Sequence, residues 1–79
     1  MDVTLYTKPG CSLCDEARAM LEEQAASTAF ELREIDIRDD SAIFERYRYR
    51  IPVIKIDGRE VLEGRIAMAD LTAALSNNE

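Results

Sequence analysis

The chain contains no histidine. That absence excludes imidazole general bases, Ser-His and Cys-His nucleophile pairs and imidazole metal ligands, so covalent chemistry must run through sulfur or carboxylates. Cysteine is nearly as scarce: Cys11 and Cys14 are the only two, and a pair so close in sequence cannot build the long-range disulfide framework of a small secreted protein. With three glycines and two prolines, a collagenous or low-complexity chain is excluded as well. No apolar run approaches the roughly 20 residues needed to span a bilayer. The start, Met1-Asp2-Val3-Thr4, lacks the basic and apolar regions of a secretion signal, and a cytoplasmic location is expected. Basic charge is in deficit too. Ten Lys and Arg against 16 Asp and Glu leave a net charge of −6, the wrong sign for phosphate backbones or an anionic surface, so neither nucleic acid nor membrane is expected as a partner.

What remains is a globular composition, 47% apolar and 33% charged over 79 residues. A chain of that length has material for one core, so residues 1–79 are expected to form a single domain, most simply as a monomer. Domains near this size hide only about 60% of their unfolded surface, and each element must pack well.

Hydrophobic periodicity divides the chain into alternating strands and helices. Val3 to Tyr6 reads as a first strand, stopped at Lys8-Pro9-Gly10. From Ser12 to Gln24, Leu13, Ala17, Met20 and Leu21 recur at helical spacing, with Ser12 and Asp15 resembling a capping pair. Phe30 to Ile37 reads as a second strand whose alternation slips between Leu32 and Ile35, which predicts a bulge or twist. Asp39-Asp40-Ser41 can start a short helix with Ile43, Phe44 and Tyr47 on one face, ending before Pro52. Pro52 to Ile56, then Asp57-Gly58, then Arg59 to Leu62 is a hairpin, because Asp-Gly accepts the positive φ angles of a tight turn. Gly64 breaks it, and Ile66, Ala69, Leu71, Ala73 or Ala74, and Leu75 mark a last helix before the polar end Ser76-Asn77-Asn78-Glu79. The order is βαβαββα, an α/β fold with a four-stranded mixed sheet: a right-handed crossover joins a parallel pair, and the hairpin adds antiparallel strands.

Cys11-Ser12-Leu13-Cys14 lies at the junction of the first strand and first helix, where a C-x-x-C pair reads as a redox-active dithiol. The spacing lets Cys11 attack a disulfide and Cys14 resolve the mixed intermediate. Cys11 is the better nucleophile, because the unpaired amides of a helix start stabilise a thiolate. A helix N-terminus contributes roughly 0.3–2 kcal/mol to a nearby anion, enough to lower a thiol pKa by up to about one and a half units from about 8.5. Lys8, three residues before Cys11, pushes the same way. Other uses of the pair remain open: half a zinc site, which lacks a second ligand pair here; one half of a metal or iron–sulfur centre shared by two chains; or inert helix packing in a non-catalytic interaction module.

Arg46-Tyr47-Arg48-Tyr49-Arg50 holds three of the ten basic residues. It is either a helix end whose last turn favours cations or, if the loop before Pro52 lies beside the dithiol, a substrate surface. In that second case Arg50 would orient a carboxylate and Tyr47 or Tyr49 would form an aromatic wall.

The run Leu5-Tyr6-Thr7-Lys8-Pro9-Gly10-Cys11-x-x-Cys14, with Ile51-Pro52-Val53 downstream and Asp57-Gly58 in a hairpin, resembles the glutaredoxin branch of the thioredoxin superfamily, most closely its short bacterial glutaredoxin-like members. The resemblance runs nearly end to end. It implies the thioredoxin/glutaredoxin fold, with three helices flanking the sheet, and a thiol–disulfide oxidoreductase that needs no tightly bound cofactor and acts on protein or small-molecule disulfides. It also implies a cis Pro52 beside Cys11 presenting backbone groups of Ile51 to substrate, Lys8 near the thiolate and a glutathione carboxylate, and Gly64 in place of the family's glycine turn. Ser12-Leu13 stands where glutathione-dependent members carry Pro-Tyr. Glu63-Gly64-Arg65-Ile66-Ala67 lacks their second glycine and paired aspartates. Glutathione and a thioredoxin-reductase-like donor are therefore both retained as electron sources.

Overall fold

The computed structural model describes residues 1–76; Asn77, Asn78 and Glu79 of the expected polar end lie outside the described residues. Its elements run β1 (Asp2–Thr7), α1 (Ser12–Ala25), β2 (Glu31–Asp36), a 3-10 turn (Ile37–Asp39), α2 (Ser41–Tyr47), β3 (Val53–Ile56), β4 (Arg59–Glu63) and α3 (Met68–Ser76). The four strands form one sheet in the order β2-β1-β3-β4, with β1 parallel to β2 and antiparallel to β3, and β3 antiparallel to β4. The expected βαβαββα order and mixed sheet are present.

Strand parity builds two cores from this sheet. On one face Val3, Leu5, Ile54 and Ile56 pack with Ala17 and Leu21 of α1 and Leu71 and Leu75 of α3. On the other, Tyr6 and Val53 pack with Ile37 and with Tyr47 of α2. Helices on both faces bury the central strands β1 and β3, the three-layer solution open to a mostly apolar sheet centre. Asp57 at φ 48° and Gly58 at φ 84° make the β3–β4 turn, the left-handed pair that the Asp-Gly step predicts. No helix of the described residues is long and apolar enough to cross a membrane.

Several boundaries and caps differ from expectation, each for a local reason. The N-cap of α1 is Cys11 rather than Ser12: its backbone is extended (φ −103°, ψ 105°) and its Sγ accepts the Cys14 N–H. β2 contains no bulge, since its six residues pair one to one with β1. The slip in its alternation marks a change of face. Leu32 lies opposite Val3 and Glu34 opposite Leu5, on the α1 side, where Glu34 pairs with Arg18; Ile35 packs on the α2 side instead. Ile37 leaves the strand for the 3-10 turn because the Asp36 carboxylate caps it, accepting the Arg38 N–H at 2.9 Å, and Ile37 is fully buried there. The irregular register occurs in the hairpin: Ile54 faces Leu62 and Lys55 faces Glu60, so Val61 is the extra residue of a bulge. The last helix begins at Met68, with Ile66 buried ahead of it, and Ala69 and Ala73 point outward.

Leu5 is fully buried at the centre of the α1 face, whereas Leu32 on the edge strand is 37% exposed. Leu5→Ala should therefore cost about 2–5 kcal/mol, a large part of the stability of so small a domain, while Leu32→Ala should cost under about 1 kcal/mol. Thermal melts by circular dichroism check the contrast; equal losses would refute the assignment of the core.

Candidate active site

β1 and β3 are neighbours, and Tyr6 lies opposite Val53. The end of β1 and the start of β3 therefore share one end of the sheet, and both the cysteine loop and the Ile51-Pro52 segment emerge there. Cys11 and Cys14 are paired, with Cα atoms 5.2 Å apart, inside the range that a disulfide bridges without backbone movement. The two cysteines differ in access. Cys14 is 0% exposed and turned inward with Ala17 and Leu21, while Cys11 is only half-buried. As the cap residue Cys11 also takes part in the first hydrogen bonds of the helix: its Sγ accepts the Cys14 N–H at 3.2 Å and its carbonyl accepts the Asp15 N–H at 3.1 Å. Sulfur at this position lies among the amides that a helix start leaves unpaired.

Lys8 is exposed in the loop before Cys11. On the β3 side, the Ile51–Pro52 bond is cis and Pro52 is buried. The Ile51 N–H donates to the Tyr47 carbonyl at 3.1 Å, so the backbone group of Ile51 left to offer a substrate is its carbonyl. Gly64 donates its N–H to the Pro52 carbonyl at 2.8 Å from a left-handed φ of 70°, with nothing within 4 Å of the position a Cβ would take. Backbone conformation alone favours glycine there. This bond brings Pro52 and Gly64, distant in sequence, into one unit.

Arg50 is turned away from a free carboxylate-binding role by its own chain. Its guanidinium hydrogen-bonds Glu63, with Nη2 to Oε1 at 2.8 Å and Nε to Oε2 at 3.3 Å, and also bonds Glu60. These contacts hold both carboxyls below the usual carboxylate range and raise Arg50 above its already high value. Glu60 and Glu63 reach the same arginine because of the bulge: residues three apart in a regular strand face opposite ways, and the extra Val61 restores them to one side. Nothing in the sequence pattern singled out these two glutamates, since strand alternation places them apart.

Tyr47 does not form an aromatic wall for a substrate. It is 2% exposed and stacked on Tyr6 with centroids 4.3 Å apart, because α2 points it into the sheet. Its hydroxyl donates to Glu60 Oε2 at 2.9 Å; burial, then this bond, push its pKa up. Tyr49 is 87% exposed, with Arg48 over its ring at 4.7 Å. The other arginines of the run serve the helix end: Arg46 pairs with Glu60 at 3.6 Å and Arg48 with Glu45 at 3.5 Å. A shallow cavity of about 270 Å³ lined by Asp2, Thr4, Glu31 and Arg33 among others lies at the opposite end of β1 from the cysteines and brings no reactive group together.

Residues 2–76 match the model of the glutaredoxin-like domain family. A glutaredoxin-like protein of Dictyostelium discoideum is 31% identical over 72 residues, covering 84% of this chain and 67% of its own length. Among solved structures, a structural-genomics target protein from X. campestris is 37% identical with a TM-score of 0.78, over 95% of this chain and 96% of that one. A thioredoxin from Halobacterium salinarum is 22% identical with a TM-score of 0.70, over 96% and 72%, a likeness of fold. Fold and cysteine pair together support a redox function in general terms. By family model, relative and architecture alike, the chain belongs to the glutaredoxin-like proteins of the thioredoxin superfamily.

Proposed function

We propose that this protein is a thiol–disulfide oxidoreductase in which Cys11 attacks and Cys14 resolves. The observation that carries the reading is the unequal burial of the pair: a half-exposed sulfur capping α1 beside a sulfur sealed beneath it. In the reducing direction the Cys11 thiolate attacks one sulfur of a substrate disulfide, and the other substrate sulfur leaves with the bonding pair. Cys14, as thiolate, then attacks Cys11, releasing the second substrate thiolate and closing the intramolecular disulfide. Two electrons pass to the substrate, and a donor dithiol or two glutathione molecules return them.

Protein and small-molecule disulfides are the substrates in this reading, bound along the edge formed by Lys8, the Ile51 carbonyl, Pro52 and Gly64, with no tightly held cofactor. The chain would act as a monomer in the cytoplasm. Between the two donors, the engagement of Arg50 by Glu60 and Glu63 favours a thioredoxin-reductase-like protein, because a glutathione carboxylate would have to displace an internal one.

In Cys14→Ser, incubation with a disulfide should trap a mixed disulfide on Cys11, seen as a mass increase reversed by reductant. Cys11→Ser should trap none while folded, because Cys14 has no access. Labelling of Cys14 in the native reduced protein as fast as Cys11 would refute the assignment of roles.

The Cys11 thiol of the reduced protein should titrate below about 8.5, by up to about one and a half units. Its alkylation rate should accordingly rise with pH and level off before that of a free thiol does. Thiolate absorbance in Cys14→Ser measures the value, and a result at or above 8.5 would count against the helix start as the activating group.

Glu63→Gln should lower the KM for a glutathionylated substrate roughly two- to fivefold, the scale of an exposed ion pair, by freeing one side of Arg50, with kcat little changed. A KM unaffected by Glu63→Gln would refute the reading that Glu63 masks Arg50 from an anionic substrate.

A further inference from the structure

Thr7 ends β1 directly before the cysteine loop. It is 7% exposed, and its Oγ1 has no hydrogen-bond partner among the described residues. A buried hydroxyl left unmatched is costly and uncommon, and this one sits at the reactive end of the sheet.

Strand parity gives its direction. Val3 and Leu5 pack into the α1 face and Tyr6 into the α2 face, so Thr7, two residues beyond Leu5, falls on the α1 side. The parallel β1–β2 pair requires α1 to run back antiparallel to β1 along that face. The buried residues of α1 are Leu21, Ala17 and Cys14. Two strand residues advance about 6.6 Å and one helical turn about 5.4 Å. Thr7, at the end of β1, and Cys14, in the first turn of α1, therefore lie at the same end of that face, with the unpartnered hydroxyl on the side of the buried cysteine.

We propose that Thr7 is the hydrogen-bond donor kept for the Cys14 sulfur of the opened pair. The inference deepens the dithiol reading above and rests on it. When a donor thiolate attacks Cys11 Sγ, a sulfur–sulfur bond forms between donor and Cys11. The Cys11–Cys14 bond breaks, and its electron pair leaves on Cys14 Sγ. That thiolate arises at a fully buried site, and the Thr7 O–H stabilises it with a charge-assisted hydrogen bond. In the closed pair Cys14 Sγ is tied to Cys11 and makes no hydrogen bond with the hydroxyl, which stays unmatched. The same contact holds Cys14 as thiolate for the resolving attack in the opposite direction. Thr7 thus favours the reduced form over the oxidised one.

The test equilibrates wild type, Thr7→Val and Thr7→Ser with dithiothreitol at defined ratios of its reduced and oxidised forms and counts open and closed pairs by mass after alkylation. Valine keeps the shape without the hydroxyl, and its equilibrium should shift toward the disulfide by about tenfold, which is about 30 mV for this two-electron couple. Serine should remain near wild type. In thermal melts Thr7→Val should raise the midpoint of the oxidised protein and lower that of the reduced one, whereas a purely structural role would move both alike. An unchanged valine equilibrium, or equal shifts for valine and serine, would overturn the proposal while leaving the dithiol reading in place; a wild-type pair that never exchanges with dithiothreitol would overturn both.

Discussion

The antiparallel pairing of β1 with β3 at the centre of the sheet is the contact on which the site depends. With Tyr6 opposite Val53, the strand that leads into the cysteines ends where the strand that follows Pro52 begins. The distance in sequence between the dithiol and the Ile-Pro segment is thereby cancelled by one register. The same two strands supply residues to both cores, so the pairing is enforced by burial on two sides. A one-residue slip would reverse the inward and outward positions of β3 and place Lys55 among the side chains that now surround Ile54.

Local chemistry made much of this legible in the sequence. The Asp57-Gly58 turn, the C-x-x-C junction and the helical spacing of Ala17 and Leu21 are short-range signals, and the elements they mark are present. Expectation departed from structure where long-range partners decide the outcome. The slip at Leu32 and Ile35 has two physical explanations, a bulge or a change of face, and only the pairing with β1 selects the second. Ser12 looked like a cap because hydroxyls are common caps, yet Cys11 occupies the position with its sulfur as acceptor. Tyr47 offered itself as a surface aromatic through its arginine neighbours; the direction of α2 sends it inward onto Tyr6. The Thr7 hydroxyl could not be recognised as unmatched without knowing all that surrounds it.

On the proposed reading, the position of the cysteines also explains how a histidine-free chain would carry nucleophilic chemistry. In the proposed reaction, activation of Cys11 would need no side-chain base, because the backbone amides of α1 would provide the favourable field, and no partner would have to titrate for it to persist across the neutral range. Arg50 illustrates the reverse situation. A cation next to the Ile51-Pro52 segment would be an obvious anchor for an anionic ligand, but Glu60 and Glu63 already neutralise it. The acidic balance of the chain is thus spent partly on silencing its own basic segment.

The bulge at Val61 has a consequence for how this surface can change over evolutionary time. Both glutamates face Arg50 only because one extra residue separates them, so loss of a single codon at that position, with the rest of the hairpin intact, would rotate one carboxylate to the far side of the sheet. The charge presented near Pro52 is therefore open to change by insertion and deletion, a route that comparisons of aligned substitutions alone would overlook.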